Sequence, residues 1–109
     1  MLTKQEAITV CKQFPGVYED YPFDDNWAVM RHLDNKKSFA LIFSHEGRIW
    51  INVKAEPMTA EFWCNVYSSV VPAYHMNKRH WVSIILDGSI SDDDIRNLIY
   101  ESYLLTKKK

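Results

Sequence analysis

The segment Ser38 to Lys54, SFALIFSHEGRIWINVK, decides the fold. Its two halves are rich in aromatic and β-branched residues, and the turn-forming residues His45-Glu46-Gly47 lie between them. In the second half Ile49, Ile51 and Val53 alternate with Trp50, Asn52 and Lys54, which predicts one core face and one amphipathic face. The first half is apolar on both faces from Phe39 to Phe43, so we expect it to be a central strand.

The residues before this segment extend the sheet by one strand. Trp27 to Leu33 has the same composition, and the turn formers Asp34 to Lys37 separate it from the central strand. These three strands should therefore form an antiparallel meander. The preceding stretch, Val17 to Asn26, is acidic, contains Pro22 and has no helical or strand periodicity, so it is predicted to be an ordered loop.

Helices are predicted at both ends of the chain and after the meander. Thr3 and Glu6 form a capping box before a helix that Pro15-Gly16 terminates. Thr59 is expected to cap a second helix that packs on the sheet and ends before Pro72, with an apolar stripe of Phe62, Trp63, Val66, Tyr67 and Val70. Ser91 should cap the last helix, which has Asp92 to Asp94 in its first turn, Lys107 to Lys109 at its end, and an apolar face of Ile95, Leu98, Ile99 and Tyr103.

A second hairpin is predicted between the last two helices. Ala73 to Met76 and His80 to Leu86 can form short strands joined around Asn77-Lys78-Arg79, because Asn tolerates the left-handed conformation of tight turns. The element order is then α-β-β-β-α-β-β-α. Helices that cover an antiparallel sheet define the α+β class, and residues 1–109 should form a single domain.

Composition narrows the functional classes. The chain has 109 residues, a net charge of −1 and 47% hydrophobic residues, so binding to nucleic acid would need local clustering of cations. It has no apolar run of about 18 residues and no apolar leader after Met1, which predicts a cytoplasmic protein without a membrane span. Cys11 and Cys64 fall in helical stripes, as expected of reduced thiols.

The densest group of unusual side chains is Pro72 to Trp81, PAYHMNKRHW. It combines two imidazoles, a carboxamide, two cations and two aromatic rings. One interpretation is purely structural, with Tyr74 and Trp81 partly buried, Asn77 in the turn, and Lys78 and Arg79 solvated. The other interpretation is a contact surface for a ligand.

This stretch resembles the MmcQ/YjbR-like family, whose members show a P-x-Y-H-M-N-K-x-H-W signature. The resemblance extends over nearly the whole chain, through Phe14-Pro15-Gly16, Glu19-Asp20, Pro22-Phe23, Trp27, Lys54 and Ser102-Tyr103. It implies an α-β3-α-β2-α arrangement similar to small adaptor and secretion-chaperone folds. It also implies membership of a family commonly described as DNA-binding, and it brings no catalytic residues, cofactor or metal.

DNA binding is the leading functional hypothesis. Lys54, Lys78 and Arg79 would contact phosphates, with Arg48 as a conditional fourth contact, while Tyr74 and Trp81 would offer stacking surfaces. Such a surface should bind DNA no more tightly than the micromolar range. The full predicted contact set is Lys54, Tyr74, His75, Asn77, Lys78, Arg79, His80 and Trp81.

Two alternatives stay open. In the first, Glu19 and Asp20 converge with His75 or His80 and with Lys78 to hold a small molecule, although tethering of the early loop is the simpler role for the two carboxylates. In the second, the sheet face that carries Trp50 binds a polypeptide or a second copy of the chain. His32 and His45 are interpreted as surface residues, and the oligomeric state is undetermined.

Overall fold

A computed structural model of the protein describes residues 1–107. It contains three helices, namely α1 (Lys4–Lys12), α2 (Pro57–Val66) and α3 (Asp92–Thr106). Its six strands are β1 (Val17–Asp20), β2 (Ala28–His32), β3 (Ser38–His45), β4 (Arg48–Lys54), β5 (Val70–Pro72) and β6 (Trp81–Ile85). The α+β class predicted from the sequence is confirmed.

The strands form one antiparallel sheet in the order β1-β2-β3-β4-β6-β5. β3 and β4 are central, as the apolar pattern of Phe39 to Phe43 predicts. Their hairpin closes through Glu46 and Gly47, both with positive φ, which matches the right-handed twist of the two strands. All three helices pack on one face of the sheet, where alternate strand residues such as Ile42, Ile51 and Val53 are buried in the core.

Side chains of α3 fasten the sheet at two points. The Ser102 hydroxyl donates to the Phe39 carbonyl over 2.6 Å and accepts from the Lys54 amide over 2.8 Å, so it links the diverging ends of β3 and β4. His32 is buried and its Nε2 lies 2.8 Å from the Thr106 hydroxyl. The prediction that His32 is a surface residue is therefore wrong, because α3 covers the end of β2.

The helix termini agree in part with the sequence. The capping box of Thr3 and Glu6 and the Ser91 cap are both present. Lys107 caps α3 at its C-terminal end, and the lysines at 108 and 109 lie outside the described residues. α2, in contrast, begins at Pro57 after Glu56 and has no side-chain cap, so Thr59 lies inside the helix. Proline at the first helical position has no amide to satisfy, which explains a start without a capping hydroxyl.

Three further differences concern boundaries. The stretch predicted as a loop begins with strand β1, whose residues pair with β2 from Val17↔His32 to Asp20↔Val29. α2 ends at Val66, so Val70 belongs to β5. β5 covers Val70–Pro72 instead of Ala73 to Met76, and residues 73–80 form an irregular loop.

The two cysteines are free. Cys11 is buried in α1, where desolvation raises the pKa of its thiol to about 12. Within residues 1–107, no helix combines the length and apolar character that crossing a membrane would require.

Candidate functional site

Among residues 1–107, no helix lies on one face of the sheet, and this helix-free face is the candidate site. Because successive strand residues alternate between faces, the neighbours of the core residues Ile51 and Val53 point to the opposite side. The cross-strand register then places the following residues on that side: Val29, Leu41, Phe43, Arg48, Trp50, Asn52, Lys54, Val71, Trp81, Ser83 and Ile85.

Aromatic rings form a continuous row across this face, here called the aromatic row. Trp27 stacks on Phe43 with ring centroids 3.9 Å apart, and Phe23 meets the edge of Trp27 at 6.2 Å. Phe43 is followed by Tyr74 at 5.8 Å, and Tyr74 by His75 at 4.0 Å. His45 completes the row, 4.3 Å from Tyr74 and 5.0 Å from Trp50.

The rings of the row differ in exposure. Phe43 is buried beneath Trp27, whereas Trp27, His45, Trp50 and Tyr74 are half-buried and His75 is exposed. The Nε1 of Trp50 is buried and, within the described part of the chain, has no hydrogen-bond partner. The row therefore offers ring surface to solvent while its base is fixed in the sheet.

A buried polar network holds the loop of residues 73–80 against this face. Asn52, fully buried on β4, donates from Nδ2 to the Tyr74 carbonyl over 2.9 Å and accepts the hydroxyl of Ser83. The Ser83 oxygen in turn accepts the Tyr74 amide over 2.9 Å. Side chains from β4 and β6 thus form hydrogen bonds with the carbonyl and the amide of Tyr74. These bonds fix its ring within the aromatic row.

The rest of the loop is also held by local contacts. Lys78 Nζ donates to the Ala73 carbonyl over 2.9 Å, and the Asn77 side chain accepts the Arg79 amide over 2.9 Å. His75 has a φ of 61°, a left-handed conformation that is costly for a residue other than glycine. Such conformations persist where the surroundings impose them and are frequent at binding sites.

A cavity of about 290 Å³ opens between this loop and the segment that follows β1. Its walls are almost entirely apolar. They are formed by Phe23, Trp27, Leu41, His75 and Met76. Phe23 is 68% exposed at its rim, an unusual position for a large apolar ring in a folded domain.

The cations of the predicted DNA-contact set do not gather at one place. Lys78 and Arg79 line a groove against α2, together with Glu61 and Cys64. Lys54 borders a different, smaller cavity between α2 and α3. The expectation of one compact basic hairpin is therefore wrong, because the loop of residues 73–80 turns its rings toward the sheet and its cations toward α2.

Glu19 and Asp20 have partners other than the hairpin. Glu19 lies 2.8 Å from Lys12 and also accepts the Tyr21 hydroxyl, and these two contacts lower the pKa of its carboxyl. Asp20 pairs with Arg31 across β1 and β2 at 2.9 Å. Both carboxylates thus act as tethers of the early segment, and they do not converge with His75 or Lys78.

Sequence reasoning missed several residues of the site. The sequence predicts a surface position for His45, and it places Trp27, Phe43 and Met76 in strands without indicating a contact between them. Strand alternation placed Trp50 correctly, but the stacking between distant segments leaves no signal in the spacing of residues. Among residues 1–107, no three His, Cys, Asp or Glu side chains come together as metal ligands.

Comparisons with known proteins give a consistent result. The YjbR family model matches residues 12–105. YyaQ of Bacillus subtilis is 35% identical over 98% of this chain and all of its own length, and YjbR of Escherichia coli is 31% identical over 94% of this chain and 85% of its own.

Solved structures agree with these relatives. A Deinococcus radiodurans protein with a DUF419 domain superimposes with a TM-score of 0.89, at 32% identity, over 100% of this chain and 81% of its own. A Pseudomonas syringae protein gives a TM-score of 0.84, at 29% identity, over 97% of this chain and 100% of its own.

Proposed function

The chain belongs to the YjbR family, and from that premise we propose that it is a non-catalytic module that binds single-stranded DNA weakly on the helix-free face. The observation that carries the proposal is the aromatic row. Successive bases of a single strand stack on protein rings whatever their sequence, since every base has a π face. Half-buried rings fixed by the sheet are suited to this because little side-chain freedom is lost on binding.

Cations at the two ends of β4 supply the contacts to phosphate. Strand alternation puts Arg48 on the side that carries Trp50. Lys54 follows the same alternation, but it lies at the last position of β4, where it also borders the cavity between α2 and α3. Six residues of strand separate the two cations by about 20 Å, a span that several nucleotides cover. The carboxylate of Asp20, at the end of β1, pairs with Arg31 and therefore does not repel the DNA backbone.

The shape of this surface favours single strands over duplexes. Reading a duplex requires a helix or a two-stranded ribbon that enters the major groove, whereas the helix-free face is a sheet bordered by two loops. The net charge of −1 also provides little nonspecific attraction to a duplex. Stacking, in contrast, does not depend on net charge.

Fluorescence anisotropy with a labelled oligothymidine of about 15 nucleotides tests the proposal. We expect micromolar binding, weaker binding of a duplex of the same length, and a fall of log K with log salt of slope about −1.4 for two phosphates. Tyr74→Ala should weaken binding by about tenfold or more because a central ring is lost. Tyr100→Ala removes a ring on α3 and is the matched control.

The cation variants decide where phosphates bind. Arg48→Gln with Lys54→Gln should reduce both affinity and the salt slope, whereas Arg96→Gln, on α3 beside Asp93, should change neither. Equal effects of Tyr74→Ala and Tyr100→Ala, or tighter binding of the duplex, would contradict the proposal. If Lys78→Gln with Arg79→Gln lost more affinity than Arg48→Gln with Lys54→Gln, the phosphates would bind on the α2 side of the loop instead.

The cavity between Phe23 and Met76 favours a second candidate function, the binding of a planar aromatic small molecule. Its volume of about 290 Å³ and its apolar walls suit one ring system. Methyl spectra of ¹³C-methionine-labelled protein, titrated with adenosine, test this use. We expect the Met76 signal to move and that of the exposed Met58 to stay; unchanged Met76 at saturating nucleoside would exclude this ligand class.

A further inference from the structure

α2 carries the most exposed apolar side chains of the three helices, in addition to the apolar residues on its inner side. Ala60, Trp63, Cys64 and Tyr67 recur at helical spacing and face the core. A second stripe, here called the α2 ridge, points away from it. The ridge consists of Met58, Phe62 and Val66, which are 85%, 57% and 51% exposed.

The sequence predicts that Phe62 and Val66 pack on the sheet, but both side chains are exposed. Only Ala60 of α2 is fully buried. The inner stripe already covers the sheet, so the ridge has no partner within the described residues. The outer face of α1 is instead largely charged or polar. α3 exposes Tyr100 and Leu104 by 47% and 44%, less than Met58 and Phe62, and they lie among charged residues such as Arg96 and Glu101.

Exposed apolar side chains at i, i+4 and i+8 form a continuous strip along a helix. A helix that is apolar on all sides is normally covered, since each exposed apolar Å² costs roughly 25 cal/mol relative to burial. Methionine and aromatic residues are also enriched at protein interfaces, from which Lys and Glu are depleted. The α2 ridge thus has the composition of an interface.

A groove of about 290 Å³ runs beside the ridge, here called the α2 groove. Ala60, Cys64, Pro72 and Val82 contribute apolar surface to it, while Glu61 and Arg79 place opposite charges along it. Burial raises the pKa of the Cys64 thiol, which keeps this side chain uncharged. A ridge and a complementary groove therefore lie side by side on one surface.

From this arrangement we infer that a second copy of the same chain covers α2, in an isologous dimer. Two-fold symmetry requires a surface that is complementary to itself, and an adjacent ridge and groove satisfy this because each copy inserts its ridge into the groove of the other. In an antiparallel pairing the ridge of Met58, Phe62 and Val66 of each copy lies along the α2 groove of the other. Glu61 of each copy then approaches Arg79 of the other.

The size of the surface sets the strength of the dimer. Stable interfaces bury about 800 Å² per partner, far more than three partly exposed side chains provide. The groove and its charged rim enlarge the contact, yet it stays at the small end of specific interfaces. The dimer should therefore dissociate in the micromolar range and form only at high protein concentration.

Sedimentation velocity over a concentration series from low to high micromolar tests the inference. The weight-average mass of the wild type should rise from that of a monomer toward that of a dimer. Phe62→Glu and Met58→Lys should each raise the dissociation constant by at least about tenfold, since a charge would be buried at the contact. Leu104→Glu, a matched change of an exposed apolar residue on α3, should leave association unchanged.

The charged pair tests the orientation. Glu61→Arg and Arg79→Glu should each weaken the dimer, and the double variant should regain most of the loss, because the swapped pair still attracts. Circular dichroism of Phe62→Glu should match the wild type, which separates loss of association from loss of fold.

A wild type that remains monomeric throughout the series would overturn the inference. So would a disruption by Leu104→Glu as large as that by Phe62→Glu.

Discussion

Asn52 is the single residue on which the geometry of the aromatic row depends. It is a carboxamide buried in the middle of a central strand, where an unbonded polar group would cost about 1–3 kcal/mol. Its bonds to the Tyr74 carbonyl and the Ser83 hydroxyl remove that cost. Because the bond to the Tyr74 carbonyl exists only when the loop of residues 73–80 is docked, Asn52 couples strand stability to the position of the rings.

Asn52→Leu should lower the free energy of unfolding by about 1–3 kcal/mol, because it leaves the Tyr74 carbonyl unpaired. Urea denaturation measures this loss. Hydrogen exchange of the amides in residues 73–80 should also become faster. Asn97→Leu, an exposed substitution on α3, should stay within about 0.5 kcal/mol of the wild type. Undiminished protection of the loop in Asn52→Leu would show that it is held by other contacts.

At the scale of secondary structure, the Ser102 hydroxyl connects β3 and β4 at the end where their backbone pairing stops. The ladder of β3 and β4 runs from His45↔Arg48 to Ala40↔Val53, and the next residues, Phe39 and Lys54, are not paired with each other. The Ser102 hydroxyl bonds the Phe39 carbonyl and the Lys54 amide. A hydroxyl can do so because it donates one hydrogen bond and accepts others.

Ser102→Ala should destabilise the protein by about 2–4 kcal/mol, since it orphans one buried donor and one buried acceptor. Thermal and urea unfolding both report the change. The exposed Ser68→Ala is the control and should change the free energy of unfolding by no more than about 0.5 kcal/mol. A loss in Ser102→Ala as small as that of the control would show that the strand ends do not need this bridge.

For the molecule as a whole, His32 links the sheet to the C-terminal helix and makes stability depend on pH. Burial lowers the pKa of His32 below its ordinary value of 6.5, so the folded state favours the neutral ring. Between the folded pKa and 6.5 the unfolded chain binds more protons. The contribution of His32 is therefore fully present above pH 6.5 and is lost as pH falls toward the folded pKa.

The free energy of unfolding should accordingly fall as the pH is lowered through 6.5 toward the folded pKa of His32. His32→Gln should flatten this dependence, even if it is less stable at neutral pH. His80→Gln, at an exposed position, should keep the wild-type profile. Carboxylates such as Glu19 and Asp87, whose pKa values are lowered by hydrogen bonds, affect stability only at more acid pH. An unchanged slope in His32→Gln would assign the effect to other groups.

The sequence by itself determined the class of the fold, because local patterns encode it. The alternation of Ile49, Ile51 and Val53 follows the period of a strand, and the turn at Glu46-Gly47 requires residues that tolerate positive φ. The capping box of α1, the Ser91 cap of α3 and the acidic first turns of both helices are equally local. Short irregular strands such as β1 were missed because their pairing partner, and not their own composition, makes them strands.

Tertiary structure alone decided the candidate site. The cations of residues 78–79 and the rings of residues 74–75 are neighbours in sequence, but the left-handed turn at His75 sends them to different surfaces. The rings of Trp27 and Phe43 stack although a whole strand separates them. Which side chains meet across a sheet, and which apolar face of α2 stays uncovered, follow from packing between distant segments, and no periodicity within one segment can contain that information.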